Sequence, residues 1–419
     1  MIQKIPNLED VAKEIGDSFY LLDIETFESN FHKLSSAFQS AYSNSRIAYS
    51  YKTNYIPCLC RHVDDLGGAA EVVSDMELRL ALSVGVMPKD IFFNGPLKQI
   101  ETSGKLLADG GVVNVDSLDE LRRLSHYLDT TPATFNGRVG IRCSFDAHDG
   151  RPSRFGIDTD SPDFENAVRL IDASPKLSLV GLHCHFAPRT LDCWSRRTSG
   201  MLKVIDKYFR HRFSDLEFVS LGGGLNGPMT EQLKKQFDRH VPTFDEYADV
   251  SAAVFAKYVN SQPGRHRPVL IIEPGTALCA DAMSYVCRVV SIKHTRGIDV
   301  ISLNGSRYNI SPNSSGFNPS FMCLSLGQQA PKISVENAYL CGYTCIETDV
   351  LATGFTGEVG VGDFFVFNEV GSYSVVMKPP FIQPNVPVVK LVSGGQGWSV
   401  IKRAETFEDV FTTYLYQRA

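Results

Sequence analysis

Short apolar runs alternate with helix-period stretches along the first 280 residues of this 419-residue chain, and that rhythm restricts the fold more than any other feature. The apolar runs are "RIAYSYK" (46–52), "AAEVVS" (69–74), "DIFFNG" (90–95), "GVVNVD" (111–116), "RVGIRC" (138–143), "LSLVGLHCHF" (177–186), "LEFVSLGGG" (216–224) and "PVLIIEPG" (268–275). Between them lie amphipathic segments such as "DMELRLALSVG", "LKQIETSGKLLADG", "SLDELRRLSHYLDT" and "TFDEYADVSAAVFAKYVNS". Strands that alternate with helices pair in parallel. Eight such units, with no other sheet-forming region between them, predict an α/β fold, a closed (β/α)8 TIM barrel, over roughly 250 residues.

The polar residues then fall at one end of these units. Lys52, the His183 and His185 pair, Gly222 to Gly224 and Glu273 all stand at or just past the C-terminal ends of their strands. A barrel collects such ends into a single rim, where active sites are built. A lysine closing a strand would otherwise read as a solvated cap; on this rim it points into a shared pocket.

After about residue 280 the texture changes. "MSYVCRVVSIKHT", "DVISLNG", "SVENAYLCGY", "DFFVFNEVGSYSVVMK" and "PVVKLVSG" are β-rich and punctuated by Gly and Asn. They predict a second, mostly antiparallel domain. The expected division is a barrel over 32–279 and a β-rich domain over 280–419, with "SFYLLDIETF" in residues 1–31 lending it a strand. The stretch 304–330 is polar and rich in Asn and Ser, and reads as a long functional loop.

Composition excludes several classes. Hydrophobic residues make up 43 % and charged residues 21 %, as in soluble globular proteins. A net charge of −6 leaves no basic excess to neutralise nucleic-acid phosphates. Charge clusters such as "QLKKQFDRH" and "WSRRTSG" read as solvated faces. No apolar run reaches bilayer length, and "MIQKIPNLEDVAKEIGDS" lacks the apolar core of a secretion signal. Ten scattered cysteines do not suggest a disulfide framework, and Cys341 and Cys345 lack a second pair to complete a zinc site. The reading is a reduced, cytoplasmic protein without nucleic-acid or membrane partners.

In order along the chain stand "YSYKTN", "AEVVSDMEL", "FNGPLK", "NVDSLDEL", "SRFGI", "GLHCH", "LGGG", "EPG", "CGYTCIETDVL", "GD" and "GSY". This series resembles the pyridoxal-phosphate-dependent decarboxylases of the alanine racemase-like barrel fold, the diaminopimelate, ornithine and arginine decarboxylase family. The resemblance runs through nearly the whole chain. It implies that Lys52 forms the Schiff base with the pyridoxal aldehyde, its pKa depressed in a desolvated pocket. It implies that Glu273 faces the pyridine nitrogen and keeps it protonated, and that His185 stacks on the ring. Gly223, Gly224, Gly275 and Thr276 would hold the phosphate, joined by Tyr373 from the β-rich domain, with Arg142 in the same cofactor set. Cys345 would return a proton to the product from the partner subunit, which implies a homodimer with shared active sites. Cys341 has no such match and reads as an inert core thiol. His183 and His185 could form a metal pair, but no third ligand is evident and no metal is expected.

Three departures bear on the substrate. The family follows its stacking histidine with Gly-Ser, the serine binding phosphate; here Phe186, Ala187, Pro188 and Arg189 follow His185, so Arg189 or Thr190 could substitute or face the substrate. The family's "EPGR" is "EPGT", and the Thr276 hydroxyl cannot make an arginine's bidentate charged contact. The acid that reads a distal amine is replaced by Ile346, beside which a buried ammonium would be unpaired. Glu347 and Asp349 are near, but their side chains are expected to point elsewhere, which leaves a rescue open. Arg189, Arg307, Ile346 and Asp349 form the expected substrate-binding set.

Together these changes predict a decarboxylase of a derivatised amino acid, acylated, citrate-conjugated or carrier-bound, in a secondary-metabolite or siderophore pathway. The long 304–330 stretch would line its pocket, and a carrier protein is a possible partner. The alternatives are a diaminopimelate- or ornithine-type decarboxylase of a free amino acid, a racemase, and an inactive regulator that binds partners. Glu273 argues against the racemase, since racemases of this fold put a weaker partner at the ring nitrogen.

Overall fold

The computed structural model describes residues 7–131, 135–148, 150, 152–310, 317–325, 331–392 and 397–415. They fall into two units, one built from Asn30–Gly227 and Val241–Ala277, the other from Met1–Ser29, Pro228–His240 and Leu278–Ala419. Residues 228–240, which the sequence places inside the barrel, group with the β-rich unit.

In the first unit eight parallel strands close a barrel. They are Ser45–Ser50, Ala69–Val72, Ile91–Phe93, Val112–Val115, Gly137–Ser144, Leu177–His183, Phe218–Ser220 and Val269–Ile272. The ring closes where Leu270 pairs with Ser45, and is continuous through Val112 and Arg138. All eight runs anticipated from the sequence are present, since each apolar segment is short and bounded by turn residues.

Ala48, Ala69, Phe92, Val112, Val180, Phe218 and Ile271 fill the barrel interior. Phe218 fits because its neighbour strand carries glycine: a Cβ on Gly181 would lie 2.1 Å from that ring. Helices follow the strands through capped turns. Ser74 accepts from the Glu77 amide, and the Glu77 carboxylate accepts from the Val73 amide. Ser117 and Glu120 repeat the device two units later, satisfying amides that a helix start leaves orphaned. The stretch 243–261 is two helices, Phe244–Val250 and Ala252–Ser261, because Ser251 leaves helical geometry and its hydroxyl donates to the Tyr247 carbonyl.

The second unit is a mostly antiparallel sheet. Ser18–Leu22 pairs antiparallel with Met283–Thr295 and parallel with Val388–Leu391, so the N-terminal strand completes this unit. Its core holds Leu8, Val11, Phe19, Leu21, Val286, Phe364, Val366 and Val389. The run "DFFVFNEVGSYSVVMK" is a strand only over Phe364–Phe367. Beyond it Glu369 and Tyr373 both take φ of 58°, which breaks the extended chain. Nor is 304–330 one loop: it contains the helical turn Arg307–Ile310 and the strand Phe321–Leu324, while 311–316 and 326–330 lie outside the described residues. Among the described residues no helix is long and apolar enough to cross a membrane.

Candidate active site

One step of the strand period separates the barrel core from its chemistry. Two residues beyond Ala48, Ala69, Phe92, Val112, Phe218 and Ile271 stand Ser50, Glu71, Asn94, Asn114, Ser220 and Glu273. Side chains alternate across a strand, so each of these polar groups shares its core neighbour's inward face. His183 ends its own strand in register with Arg142.

These groups form one buried network. Glu273 Oε2 lies 3.0 Å from His183 Nε2, and its Oε1 accepts from Ser220 at 2.7 Å and from Asn94 Nδ2 at 3.2 Å. Asn94 Nδ2 also reaches Glu71 Oε1 at 3.0 Å, so one amide group joins two carboxylates. Behind it, Asn114 Nδ2 donates to Asn94 Oδ1 at 2.7 Å. Lys98 supports this wall: it is fully buried against Glu120 at 2.9 Å and donates to the Asn114 carbonyl. Burial alone would push the Glu273 carboxyl up, but His183, Lys52 and Ser220 together outweigh it and hold the group below the usual carboxylate range.

Lys52 lies in the single turn Tyr51–Thr53 just past its strand. Its Nζ is 2.6 Å from Glu71 Oε2 and 2.7 Å from Ser50 Oγ, with the lysine side chain 35 % exposed and Glu71 1 % exposed. The desolvated pocket expected around this amine is thus replaced by an ion pair with a buried carboxylate. Glu77 stands next to this pair; burial, with added repulsion from Glu71, pushes its carboxyl up to about 7.

His185 lies beyond the strand, and its Nδ1 accepts from the Gly223 amide at 3.0 Å. Burial, then the positive charges of Lys52, Arg142 and Arg197, lower its pKa well below the ordinary value, so the ring is neutral. The two histidines therefore do not converge as a metal pair, one serving Glu273 and the other Gly223. Among the described residues no group of three His, Cys, Asp or Glu side chains is placed to hold a metal. Arg142 pairs with Asp116 at 3.3 Å and lies over the Phe155 ring.

The glycine loop is tightly enclosed. A Cβ on Gly223 would lie 2.3 Å from the Glu273 carbonyl oxygen, and one on Gly275 would lie 1.9 Å from Thr53 Oγ1. Gly224 takes φ of 85°, and its carbonyl accepts from Trp194 Nε1. Arg197, part of the "WSRRTSG" run read as a solvated face, is instead fully buried beneath this loop. Thr276 Oγ1 lies 3.3 Å from Arg189 Nη2.

The remaining expected residues belong to the β-rich unit. Arg307, Cys345, Ile346 and Asp349 share one loop cluster, in which Tyr343 N donates to the Gly305 carbonyl and Arg307 Nη1 to that of Thr348. Cys345 is exposed and Ile346 half-buried. Asp349 is buried, and its carboxylate accepts from Ser306 Oγ, Arg307 N and Thr344 N at 2.8–3.1 Å. Tyr373 sits in a separate turn with a left-handed backbone, unusual for a bulky residue and concentrated at functional positions.

A rim amine, a carboxylate kept anionic, a neutral imidazole and a loop that admits no side chain together suit an aldehyde cofactor with a basic ring nitrogen and a phosphate. Fold and site thus define a barrel enzyme of the pyridoxal phosphate class. Residues 27–280 match the family described as pyridoxal-dependent decarboxylase, pyridoxal binding domain, and the chain belongs to that family. It is a carboxy-lyase acting on an amino acid, with pyridoxal phosphate as cofactor.

Among its relatives is a diaminopimelate decarboxylase of Methanothermobacter thermautotrophicus, 25 % identical over 414 residues that cover 96 % of this chain and 92 % of the relative. Another, from Bacillus subtilis, is 25 % identical over 418 residues with the same coverage. The crystal structure of diaminopimelate decarboxylase from Methanocaldococcus jannaschii superimposes with a TM-score of 0.83 at 23 % identity, covering 98 % of this chain and 94 % of that one. At that identity the likeness speaks to fold.

Glu71, Asn94, Asn114 and Ser220 are functional candidates that were not singled out from the sequence. The signal that finds them is the two-residue step from core to rim.

Proposed function

We propose that the chain decarboxylates a derivatised α-amino acid, acylated, citrate-conjugated or carrier-bound, in a secondary-metabolite or siderophore pathway. The observation that carries this reading is the loop around Ile346. The position that would read a distal ammonium is apolar, and the Asp349 carboxylate, the buried acid of that loop, is committed to Ser306, Arg307 and Thr344. A free basic substrate would place its ammonium beside the apolar Ile346, with Glu347, which is exposed to solvent, as the other acid of that loop.

Bound pyridoxal phosphate supplies an electron sink for the pair that a departing carboxylate leaves behind. The chain's own groups do the rest. Lys52 presents its amine at the rim, and Glu71, 2.6 Å away, is placed to take the proton that the amine must lose to act as a nucleophile. Glu273, kept anionic, holds a proton on the ring nitrogen. The neutral His185 ring would lie against the cofactor without adding a positive charge. Cys345, contributed across a homodimer, would return a proton to the carbon that loses the carboxylate, and Tyr373 would help to hold the phosphate.

The test is a spectral titration of cofactor-loaded protein with parallel CO2 assay. Lysine, ornithine, arginine and diaminopimelate are compared with N-acylated and citrate-conjugated amino acids. Band shifts and CO2 release with the derivatised set alone are expected. A second reading, decarboxylation of free diaminopimelate, is favoured by the names of the relatives; turnover of that compound at ordinary enzyme rates would replace the first reading with it. Light scattering on the same preparation checks the dimer, with a monomer active at full rate overturning the shared site.

A further inference from the structure

Lys378, in the β-rich unit, is a buried lysine that no role described above uses. Its amide donates to the Ser374 carbonyl at 3.1 Å, and the residue is only 7 % exposed. Lysines are rarely buried without a carboxylate partner, and Lys98 against Glu120 follows that rule. Lys378 does not. Among the described residues its Nζ donates to two neutral oxygens, the carbonyls of Pro379 at 3.0 Å and Gln383 at 3.4 Å.

The loop around this amine is closed on itself. Phe381 N also donates to the Pro379 carbonyl at 2.8 Å, Gln383 N donates to the Phe381 carbonyl at 2.7 Å, and Ile382 takes φ of 65°. Glu405 ties down the far end: its carboxylate accepts from Asn385 N and Nδ2, each at 3.0 Å, and its own amide donates to the Asn385 carbonyl at 2.9 Å. Pro380 and Asn385 of this loop line a cavity of about 500 Å³ together with Lys402, Arg403 and Glu405.

The charges around the cavity differ in how firmly they are held. Arg403 is engaged by Asp409, with Nη2 2.8 Å from Oδ1. Lys402 makes only long contacts, its Nζ 3.5 Å from Glu405 Oε1, 3.5 Å from the Val386 carbonyl oxygen and 3.4 Å from that of Arg403. Burial pushes the Lys378 amine down to about 8, with Glu405 opposing the fall and Lys402 adding to it. An unprotonated amine is a nucleophile, and a small neutral electrophile can reach it without bringing a charge into the site. Decarboxylation releases such an electrophile.

We propose that Lys378 is a carbamate-forming site, at which CO2 adds to the buried amine and the resulting anion pairs with Lys402. The Nζ lone pair forms a bond to the CO2 carbon, one C=O electron pair moves onto oxygen, and an Nζ proton passes to water. The N–H that remains still has the Pro379 carbonyl as acceptor. The proposal goes beyond the function proposed above and is indifferent to which amino acid is decarboxylated.

The experiment equilibrates full-length, cofactor-loaded protein with isotope-labelled bicarbonate, the source of dissolved CO2, and reads protein-bound carbamate by carbon NMR. At about pH 8 an amine with this pKa is about 100-fold more unprotonated than an exposed lysine of ordinary pKa. Trapping the carbamate as its ethyl ester, followed by peptide mass spectrometry, locates the label. Wild type is expected to carry it on residue 378, and Lys378→Met and Lys378→Arg are expected to lose that signal. The arginine variant keeps donors for the Pro379 and Gln383 carbonyls but stays protonated, so it serves if thermal melting shows the methionine variant unfolded. Lys402→Gln is expected to lower occupancy several-fold.

No carbamate signal in wild type at saturating bicarbonate, a signal that persists in the Lys378 variants, or label spread evenly over exposed lysines would overturn the site. Undiminished occupancy in Lys402→Gln would overturn the pairing. Because CO2 is supplied from outside, none of these outcomes depends on the substrate proposed above, and failure of that reading leaves them unchanged.

Discussion

His183 Nε2 lies 3.0 Å from Glu273 Oε2, with both side chains almost wholly removed from solvent. An ionised carboxylate only accepts, so the contact fixes a proton on Nε2 and helps keep Glu273 anionic. In His183→Phe that hold is lost, and burial pushes the Glu273 carboxyl upward. On the proposed function Glu273 serves as an anion, and the acid limb of the kcat profile should then move to higher pH. An unmoved limb would show that His183 does not tune Glu273.

The amide of Asn94 links Glu71, the partner of Lys52, to Glu273. Asn94→Ala removes a donor from each carboxylate and the acceptor of Asn114, which should cost about 1–3 kcal/mol in denaturant unfolding. Asn94→Asp is closer in shape, yet sets a third carboxylate between two others. It should therefore lower kcat more than the alanine variant does. The reverse order would mean that Asn94 acts through packing.

Glu77 carries a carboxyl raised to about 7 by burial. A group with a raised folded-state pKa contributes stability that is complete below its unfolded pKa, about 4.3, and is lost as pH climbs through the folded value. Unfolding free energy should therefore decline between about pH 4.5 and 7.5. Glu77→Gln retains an acceptor for the Val73 amide but cannot ionise, so its stability curve should be flatter over that window. Parallel curves for the two proteins would show that Glu77 titrates normally.

Asp349 is buried with three donors on its carboxylate. Asp349→Ala should destabilise the chain by about 1–3 kcal/mol, because Ser306 and two main-chain amides lose their acceptor. Asp349→Asn keeps one acceptor oxygen and should cost less, leaving the preference among substrates unchanged. A change of preferred substrate in the asparagine variant would return Asp349 to the binding site.

The barrel was legible because its signal is periodic: eight apolar runs bounded by turns can be counted without knowing what they touch. Lys52 and Glu273 stood out as charges at strand ends. Glu71 and Asn114 did not, since "AEVV" and "VVNV" look like strands with an incidental polar residue. Only the inward face shared with Ala69 and Val112 shows them to be rim groups. Arg197 was illegible for another reason. Neighbouring Arg196 is exposed and Arg197 buried, one residue apart on the same helix, and the difference is set by four carbonyls from distant loops. The hydrogen bonds of Asp349 were not legible because its partners come from residues 306, 307 and 344, a closure that local spacing does not reveal.

On six of its eight strands the barrel keeps an apolar residue and a polar residue two positions apart. Each of these strands contributes one polar tip beyond an apolar base. Substitutions at Ser50, Asn94, Asn114 or Ser220 therefore act first on the polar network, which its members share, while the apolar layer keeps its own residues. Such a layout separates the residues that close the barrel from those that stand at its rim, in a chain 25 % identical to a relative over nearly its whole length.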